Sequence, residues 1–331
     1  MRRTGFRGGG LIERKTQALP LAPIKGRAFE IPGSKGQRPF AGPGQRHGLL
    51  LLALVFALLS WSVQAADLKV ATWNLEWLTA RAAGDPALPD DVHPKVAPDI
   101  ALLRRYAAIL DADVVALQEV DGPGIAAQIF PPDQYDLYFT NDAVVQRVGV
   151  AIRRGIHVQR NPDVTGLDLY PGARLRLRSG ADLTLDLPNG PVRLLAVHLK
   201  TGCQRDRLDT STRPQCQTLR GQVPVLQGWI AQRRAEGVPF ILLGDFNRWM
   251  DGRDQLLAAL QSSAPLVRAT EGHDSPCWGG EHFIDHILAG GAARAWLDPQ
   301  SLRVLVYREG PAMKEHLSDH CPVSARFHLP G

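Results

Sequence analysis

The chain lacks three features that would point to common classes of protein. It has four cysteines in 331 residues and no Cys-x-x-Cys pair, which argues against a zinc knuckle or a thioredoxin-like redox site. Its longest apolar run, residues 49–59, has eleven residues, whereas a helix that spans a bilayer needs about 20. No internal repeat or low-complexity segment is apparent, so a repeat architecture is not expected.

The first 66 residues differ in composition from the rest. They hold ten Lys or Arg and two Glu, are rich in Gly and Pro, and show no apolar periodicity before Leu49. This basic stretch, the short apolar run and the small residues Val63 and Ala65 predict a secretory signal peptide cleaved near Ala65 or Ala66, and hence a secreted or periplasmic protein. The alternatives are an uncleaved anchor or a start codon assigned too early, since residues 1–47 form a long stretch before the apolar run.

Without this leader the charge balance changes sign. The whole chain has 38 Lys or Arg and 33 Asp or Glu, so residues 67–331 hold 28 basic and 31 acidic residues, a net charge of −3. That balance gives no electrostatic footprint for strong nucleic-acid binding. A local basic patch around Arg205, Arg207 and Arg213 stays open as an alternative.

All four cysteines follow the leader, as expected for a protein of an oxidising compartment. Cys203 and Cys216 bracket a polar loop that has no core of its own, and we predict that they form a disulfide. By the loop-entropy estimate this bridge would remove about 3 kcal/mol of unfolded-chain freedom. The pairing of Cys277 and Cys321 stays open, because Cys321 begins an apolar strand and would also fit as a small buried residue.

From Asp67 onward, apolar runs of strand length alternate with segments of helical period. Strands outnumber helices, and Asn189-Gly190 marks a hairpin turn. The predicted fold class is α/β, a four-layer α/β/β/α sandwich of two mixed sheets packed face to face, with residues 67–331 as one domain. The predicted strands are 68–75, 114–119, 135–140, 148–153, 183–187, 192–199, 239–245, 283–289, 302–306 and 322–329, and the predicted helices are 100–110, 124–130, 218–236 and 253–262.

Several of these apolar runs end in residues that can bind a cation. Glu119 closes one strand and Asn74 another, and Asp245 and Asn247 follow the run at 240–243. Oxygen-rich ligand sets of this kind select Mg²⁺, Mn²⁺ or Ca²⁺ over Zn²⁺. Taken singly, each has an ordinary structural interpretation, a solvated strand-end acid for Glu119 and a turn cap for Asn74. Their joint occurrence at strand ends favours a metal site.

Histidines and further charged residues accompany these ligands. Asp285 and His320 suggest an acid–imidazole pair, in which the carboxylate fixes the tautomer and favours the charged or strongly basic ring. His198 ends another apolar strand, where it could protonate a leaving oxygen or hold nonbridging phosphate oxygens. Lys200 and Arg174 are candidate phosphate contacts, although the alternation of residues 174–178 is also typical of one polar face of a sheet.

The motifs T-W-N-L-E at 72–76, L-Q-E-V at 117–120, V-H-L-K at 197–200, G-D-F-N at 244–247, I-D-H-I at 284–287 and S-D-H at 318–320 resemble, in order, those of the endonuclease/exonuclease/phosphatase superfamily, the DNase I-like group. This resemblance spans essentially residues 67–331. It implies a four-layer sandwich, one or two magnesium ions and hydrolysis of a phosphoester by water.

The resemblance also implies roles for single residues. Asn74 and Glu119 resemble ligands of metal and phosphate, and Asp319 resembles a metal-linked carboxylate. Asp245 and Asn247 resemble the pair that orients water and phosphate. The catalytic set would be His198, Asp245, Asn247, Asp285 and His320, with Arg174 and Lys200 binding substrate.

The chain departs from one branch of the superfamily. Abasic-site endonucleases carry a Tyr-x-x-Asn motif near the position of His198-Leu199-Lys200, which argues against a dedicated DNA-repair role. The expected partner is a phosphodiester substrate, with DNA or RNA first and no integral membrane partner. The alternatives are a sphingomyelinase-like or sugar-phosphate phosphodiesterase, for which Trp249-Met250 and Trp278 are candidates for an exposed apolar lipid contact, and a non-catalytic binding module on the same fold.

Overall fold

The computed structural model describes residues 67–173 and 176–330. The predicted leader, the signal peptide and the phosphate contact of Arg174 lie outside these residues. In chain order the strands are β1 (Asp67–Leu78), β2 (Val114–Val120), β3 (Tyr135–Phe139), β4 (Arg147–Arg153), β5 (His157–Arg160), β6 (Ala181–Leu187), β7 (Gly190–His198), β8 (Phe240–Asp245), β9 (Leu266–Arg268), β10 (Asp285–Gly290), β11 (Leu297–Val304) and β12 (Val323–His328).

These strands form two mixed sheets of six strands each. The first has the order β11-β12-β1-β2-β4-β3 and the second has the order β5-β6-β7-β8-β10-β9. In each sheet one central pair is parallel, β1 with β2 and β7 with β8. The carboxyl ends of these four strands therefore carry the residues that follow each apolar run.

Helices cover the outer faces. They are α1 (Ala97–Leu110), α2 (Pro123–Ala126), α3 (Pro214–Glu236), α4 (Gln255–Ser263), α5 (Ala293–Trp296) and α6 (Lys314–Leu317), with 3₁₀ turns at Thr165–Leu167, Cys277–Gly279 and Pro311–Met313. Leu103 and Tyr106 of α1 pack with Trp73 of the first sheet, and Leu226 of α3 packs with Leu242 of the second.

The inner faces of the two sheets meet in a separate apolar cluster. Because side chains alternate along a strand, Val70 of β1 lies between the sheets while its neighbours Ala71 and Trp73 lie under α1. Leu194 of β7 and Leu243 of β8 join Val70 from the second sheet. The layer order is thus helix, sheet, sheet, helix, and the predicted four-layer α/β/β/α sandwich is confirmed.

The predicted elements differ from the structure mainly at the sheet edges. The short edge strands β5 and β9 have no counterpart in the prediction, and β11 begins five residues before the predicted strand at 302–306 and has a register shift between Asp298 and Arg303. The helix predicted at 124–130 is only the single turn α2. Edge strands bury one side at most, as β5 shows with its largely exposed residues, so they lack the apolar period that identifies inner strands.

Two disulfides tie loops to the sandwich. Cys203 pairs with Cys216, as predicted. Cys277 pairs with Cys321, so Cys321 is not an isolated buried thiol. Within residues 67–173 and 176–330, no helix has the length and apolar character needed to cross a membrane.

Candidate active site

The inward faces of five strands all end in polar residues at one edge of the sandwich. Side chains alternate between the two faces of a strand. Each of these five residues lies on the same face of its strand as the apolar residues packed between the sheets, so the polar set continues the inner core. All are at most 6% exposed, and buried polar groups need partners. The five are Asn74 of β1, Gln118 of β2, His198 of β7, Asp245 of β8 and Asp285 of β10.

Asn74 links the two sheets at this edge. Its Nδ2 lies 3.1 Å from Glu119 Oε1, in its own sheet, and 3.1 Å from Asp245 Oδ2, in the other. Its Oδ1 accepts the backbone N–H of Glu76 at 2.9 Å. Asn74 therefore holds two carboxylates together through its amide nitrogen, and its proposed role as a metal ligand stays a prediction.

The G-D-F-N segment places Asp245 by backbone geometry. Gly244 has φ of 142°, and a Cβ there would lie 2.0 Å from the carbonyl oxygen of Val197 on β7. Only glycine allows the two strands to approach so closely. After the strand, Asn247 has a left-handed φ of 51°, its backbone N–H donates to Asp245 Oδ1 at 2.7 Å and its Nδ2 donates to Asp245 Oδ2 at 3.1 Å.

Asp285 and His320 form a hydrogen-bonded pair. Asp285 faces Asp245 directly across the β8–β10 ladder, and its Oδ2 lies 2.7 Å from Nδ1 of His320. The other ring nitrogen, Nε2, lies 3.9 Å from Asp245 Oδ2. Ser318 holds the His320 loop in place, because its hydroxyl donates to the carbonyl oxygen of Asn74 at 2.7 Å and accepts the N–H of His320 at 3.0 Å.

The two sheets thus bring together residues that lie far apart in the sequence. Nε2 of His198 lies 3.6 Å from Glu119 Oε1 and 3.5 Å from Asp245 Oδ2. A continuous series of contacts therefore runs from Glu119 through His198 and Asp245 to His320. Lys200 follows His198 by two residues, and burial together with Arg178 lowers the pKa of its amine.

Neighbouring groups give these residues different protonation states. Burial, together with the charge of Asp285, raises the pKa of Asp245 to about 7. Burial disfavours charge on His320, but the charge and hydrogen bond of Asp285 outweigh it and raise the pKa of His320 well above its ordinary value. Burial, with the cations Arg178 and His320 nearby, holds the pKa of His198 well below its ordinary value. His320 is therefore charged and His198 neutral near pH 7.

Asp319 belongs to a second acidic group beside the first. Its backbone N–H donates to Glu76 Oε2 at 3.0 Å. Burial and the charge of Asp319 raise the pKa of Glu76 to about 7. Lys95, which is 9% exposed, donates from Nζ to the carbonyl oxygen of Glu76 at 2.7 Å.

The sequence analysis assigned no role to five residues of this site: Glu76, Lys95, Gln118, Gln146 and Arg178. Gln146 donates to Glu119 Oε2 and accepts from Arg178 Nη2 at 2.7 Å. The alternation at 174–178 is typical of a polar sheet face, but residues 176–178 form no strand, and Arg176 pairs with Asp168 at 2.7 Å instead. Glu76 could have been identified from its place in T-W-N-L-E, whereas Gln146 carries no sequence signal.

The donor set fits a hard divalent cation. Five carboxylates lie in or next to the site, and both oxygens of Glu119 accept from the neutral amides of Asn74 and Gln146 rather than from a cation. Carboxylate and amide oxygens are the ligands of magnesium and calcium. Asp245, Asp285 and His320 also lie within 4.8 Å of one another, but a charged imidazole that already binds Asp285 leaves no lone pair for a metal there.

Two mixed sheets of six strands with flanking helices form the DNase I-like fold, which solved structures share. The chain belongs to the endonuclease/exonuclease/phosphatase family, whose family model matches residues 71–320. It is therefore a member of a family of phosphoester hydrolases. A search of curated proteins found no match.

Solved structures of the same fold are distant in sequence. TDP2 from Caenorhabditis elegans is 15% identical, with a TM-score of 0.56 and coverage of 86% of this chain and 82% of that one. The human Nocturnin catalytic domain with bound sulfate anion is 16% identical, with a TM-score of 0.51 and coverage of 80% and 95%. The 3′ phosphatase NExo from Neisseria, bound to a product DNA hairpin, is 17% identical, with a TM-score of 0.51 and coverage of 78% and 99%.

Proposed function

We propose that the protein is a secreted or periplasmic, metal-dependent phosphodiesterase that acts on nucleic acid. The observation that carries this proposal is the series of contacts from Glu119 to His320 across both sheets. In this series, carboxylate and amide oxygens that could hold a divalent cation lie beside the acid–histidine pair of Asp285 and His320. DNA as the substrate is supported by two proteins of the same fold, NExo bound to a product DNA hairpin and Danio rerio TDP2 with a single-strand DNA product.

The proposed reaction is in-line attack of water on phosphorus, with cleavage of the bond from phosphorus to the leaving oxygen. Asp245, with a pKa of about 7, is the base that the structure favours for removing the water proton, because His320 is already charged. Asn247 and Asn74 orient its carboxylate. A base whose pKa lies near the working pH is the most effective.

The other residues would stabilise negative charge on the phosphate, donate to its oxygens or hold the metal ion. The imidazolium of His320 stabilises the negative charge that develops on the phosphoryl oxygens. Neutral His198 faces the same space through Nε2 and can donate to an oxygen of the phosphate or the leaving group. Glu119, Asn74 and Asp319 are the residues that would hold Mg²⁺, with Mn²⁺ or Ca²⁺ as alternatives. Such an ion, when bound, would neutralise charge on the phosphoryl and leaving oxygens.

A lipid substrate is less favoured, because the three predicted contact residues do not form an exposed apolar surface. Met250 is 2% exposed, and Trp278 stacks on Tyr307 at a centroid distance of 5.2 Å and donates from Nε1 to the carbonyl oxygen of Ser318. The indole of Trp278 therefore supports the loop that carries His320.

Replacing the proposed base or the charged histidine tests the reaction. Asp245→Ala and His320→Ala should each lower kcat at least about a hundredfold, the usual contribution of a general acid–base group. The assay compares plasmid DNA, RNA, sphingomyelin and bis-p-nitrophenyl phosphate, with and without excess EDTA. Asp133→Ala, at an exposed turn, is the control.

Three results would contradict this proposal. Full activity of either variant would remove its residue from the mechanism, and full activity in excess EDTA would remove the metal. Absence of hydrolysis of every substrate with Mg²⁺ or Mn²⁺, together with retained ligand binding, would favour a binding module.

Secretion is tested separately, on the protein recovered from cells. Both disulfides support an oxidising compartment. Mass spectrometry of the periplasmic or extracellular protein should find an amino terminus at Ala66 or Asp67, as expected for cleavage after the small residues near position 65. A cytoplasmic protein that keeps residues 1–66 would contradict this prediction.

A further inference from the structure

Trp249 is a partly exposed aromatic residue that lies close in sequence to Asp245 and Asn247 of the proposed active site. It lies two residues after Asn247, which is the last residue of the G-D-F-N segment. Its backbone N–H donates to the carbonyl oxygen of Gln204 at 2.9 Å. The preceding residue, Arg248, is buried and binds Asp254 at 2.7 Å and the carbonyl oxygen of Cys203. Trp249 therefore projects from a fixed turn.

An arginine and a histidine flank the indole. The guanidinium carbon of Arg205 lies 5.6 Å from the centroid of a Trp249 ring, and the centroids of the Trp249 and His282 rings are 4.3 Å apart. Both neighbours are exposed. His282 lies three residues before Asp285, so the stack adjoins the ends of both strands that carry the proposed catalytic carboxylates.

Nearby carboxylates compensate part of the positive charge that the sequence predicts here. In the candidate patch, Arg207 binds Asp209 and Arg213 binds Asp206. Among the described residues, the side chains of Arg205 and Arg253 have no carboxylate within 4 Å. Both line a cavity of about 180 Å³ together with Trp249. Asp206, Asp251 and Asp254 line the same cavity, but Asp206 pairs with Arg213 and Asp254 with Arg248. The two arginines therefore leave a small excess of positive charge beside the indole.

We propose that Trp249, Arg205 and His282 form a base-stacking subsite for a nucleotide next to the scissile phosphate of single-stranded nucleic acid. This inference rests on the proposed function and adds that the nucleic-acid substrate is single-stranded. A base in a duplex is already stacked, so an aromatic platform selects unpaired bases. Arg205 can leave the indole for the adjacent phosphate when a base takes its place.

Typical magnitudes favour this exchange. Stacking of a base on an aromatic side chain changes affinity roughly 5- to 150-fold. An exposed cation–π contact such as that of Arg205 corresponds to roughly 2- to 5-fold. Arg205 also keeps its charge near the substrate, where it can pair with a phosphate. Displacement of Arg205 by the base therefore gives a net gain in affinity.

The test compares two oligomers of equal length, a single-stranded oligodeoxynucleotide and a backbone whose sugars carry no bases. Trp249→Ala should lower kcat/KM on the base-bearing oligomer roughly 5- to 150-fold, mainly through KM, and leave the abasic oligomer unaffected. Trp249→Phe should retain most of the activity. Ile109→Ala, at an exposed position on α1, is the control. The Kd of the labelled oligodeoxynucleotide, measured in an Asp245→Ala background, should rise by the same factor.

The opposite results separate the two kinds of failure. If the kcat/KM of Trp249→Ala equals that of the wild type on both oligomers, or is reduced by the same factor on both, the stacking subsite is wrong and the nuclease proposal stands. If the wild type neither binds nor cleaves either oligomer, both proposals fail. If Trp249→Ala weakens binding to sphingomyelin–phosphatidylcholine vesicles but not to the oligodeoxynucleotide, Trp249 contacts a membrane and the subsite is wrong.

Discussion

At the residue scale, three histidines show how neighbours rather than residue type decide chemistry. His320 is charged because Asp285 accepts from its ring, and His198 is neutral because it is buried beside Arg178. His286, in the same I-D-H-I motif as Asp285, has no exposed surface. Its Nε2 donates to the carbonyl oxygen of Arg248 at 2.9 Å and its Nδ1 accepts from Thr270 at 2.7 Å. It therefore supports the turn that carries Trp249.

His286 should make the stability of the protein depend on pH. Burial lowers the pKa of His286 to about 3, whereas the unfolded ring has a pKa of about 6.5. Between these values the unfolded chain binds more protons, so the stability from neutral His286 is full above about pH 6.5 and is lost as pH falls toward 3. The slope is at most about 1.4 kcal/mol per pH unit.

Urea unfolding from pH 7.5 to 4 measures this dependence. His286→Gln should lower the free energy of unfolding at pH 7 and flatten its fall below pH 6.5, because glutamine does not titrate. His157→Gln is the control, since His157 is exposed on the edge strand β5. An unchanged slope in His286→Gln would show that other groups cause the pH dependence.

At the element scale, the parallel pairs β1–β2 and β7–β8 position the site. Parallel strands end together, so Asn74 lies beside Gln118 and His198 beside Asp245. The chain has left-handed φ values of 60° at Glu119, the residue after Gln118, and of 51° at Asn247, two residues after Asp245. Such strained conformations cluster at functional sites, where surrounding contacts maintain them.

Gly244 is the position in these elements least able to accept a side chain. In Gly244→Ala, the Cβ would meet Val197 of β7 at 2.0 Å and φ of 142° would be strained. We expect a loss of stability of about 1–3 kcal/mol, the usual cost of overpacking, and a lower kcat, because β7 and β8 carry His198 and Asp245. Thermal unfolding and hydrolysis of bis-p-nitrophenyl phosphate measure the two effects.

Gly228→Ala is the matched control. Gly228 lies inside α3, and a Cβ added there would have no neighbouring atom within 4 Å outside the helix backbone, so alanine should stabilise the helix by about 1 kcal/mol. Wild-type stability and activity in Gly244→Ala would show that the two strands can separate without disturbing the site.

At the scale of the whole molecule, neither sheet contains the site by itself. Asn74 and Glu119 come from the first sheet, and His198, Asp245 and Asp285 come from the second. His320 follows on the loop before β12, which the disulfide between Cys277 and Cys321 ties to the loop before β10. Packing of the inner faces therefore assembles the site.

A divalent cation should stabilise the folded protein. A ligand that binds only the native state at a hundred times its Kd adds about 2.7 kcal/mol, or roughly 5–10 °C in Tm for a chain of this size. We expect Mg²⁺ or Mn²⁺ to raise Tm, EDTA to reverse the change, and Glu119→Gln to reduce it. Calorimetry measures Tm, with Asp133→Asn as the control. An equal shift in Glu119→Gln would place the cation elsewhere.

Much of the fold could be predicted because buried strands carry a local signal. The inner strands β2, β4 and β8 are almost wholly buried, and such strands appear as continuous apolar runs. The edge strands β5 and β9 are short and partly exposed, so periodicity did not identify them. The pairing of Cys277 with Cys321 was equally undetermined, since spacing does not show which cysteines meet.

The sequence alone determined the four-layer fold, the bridge between Cys203 and Cys216, and the candidate residues at strand ends, because hydrophobic period and motif order are properties of neighbouring residues. Tertiary structure decided which of those residues meet, that Gln146 and Arg178 join them, and which histidine carries a charge. Distances between sheets and the burial of each group depend on the packing of segments far apart in the chain, and no local pattern encodes them.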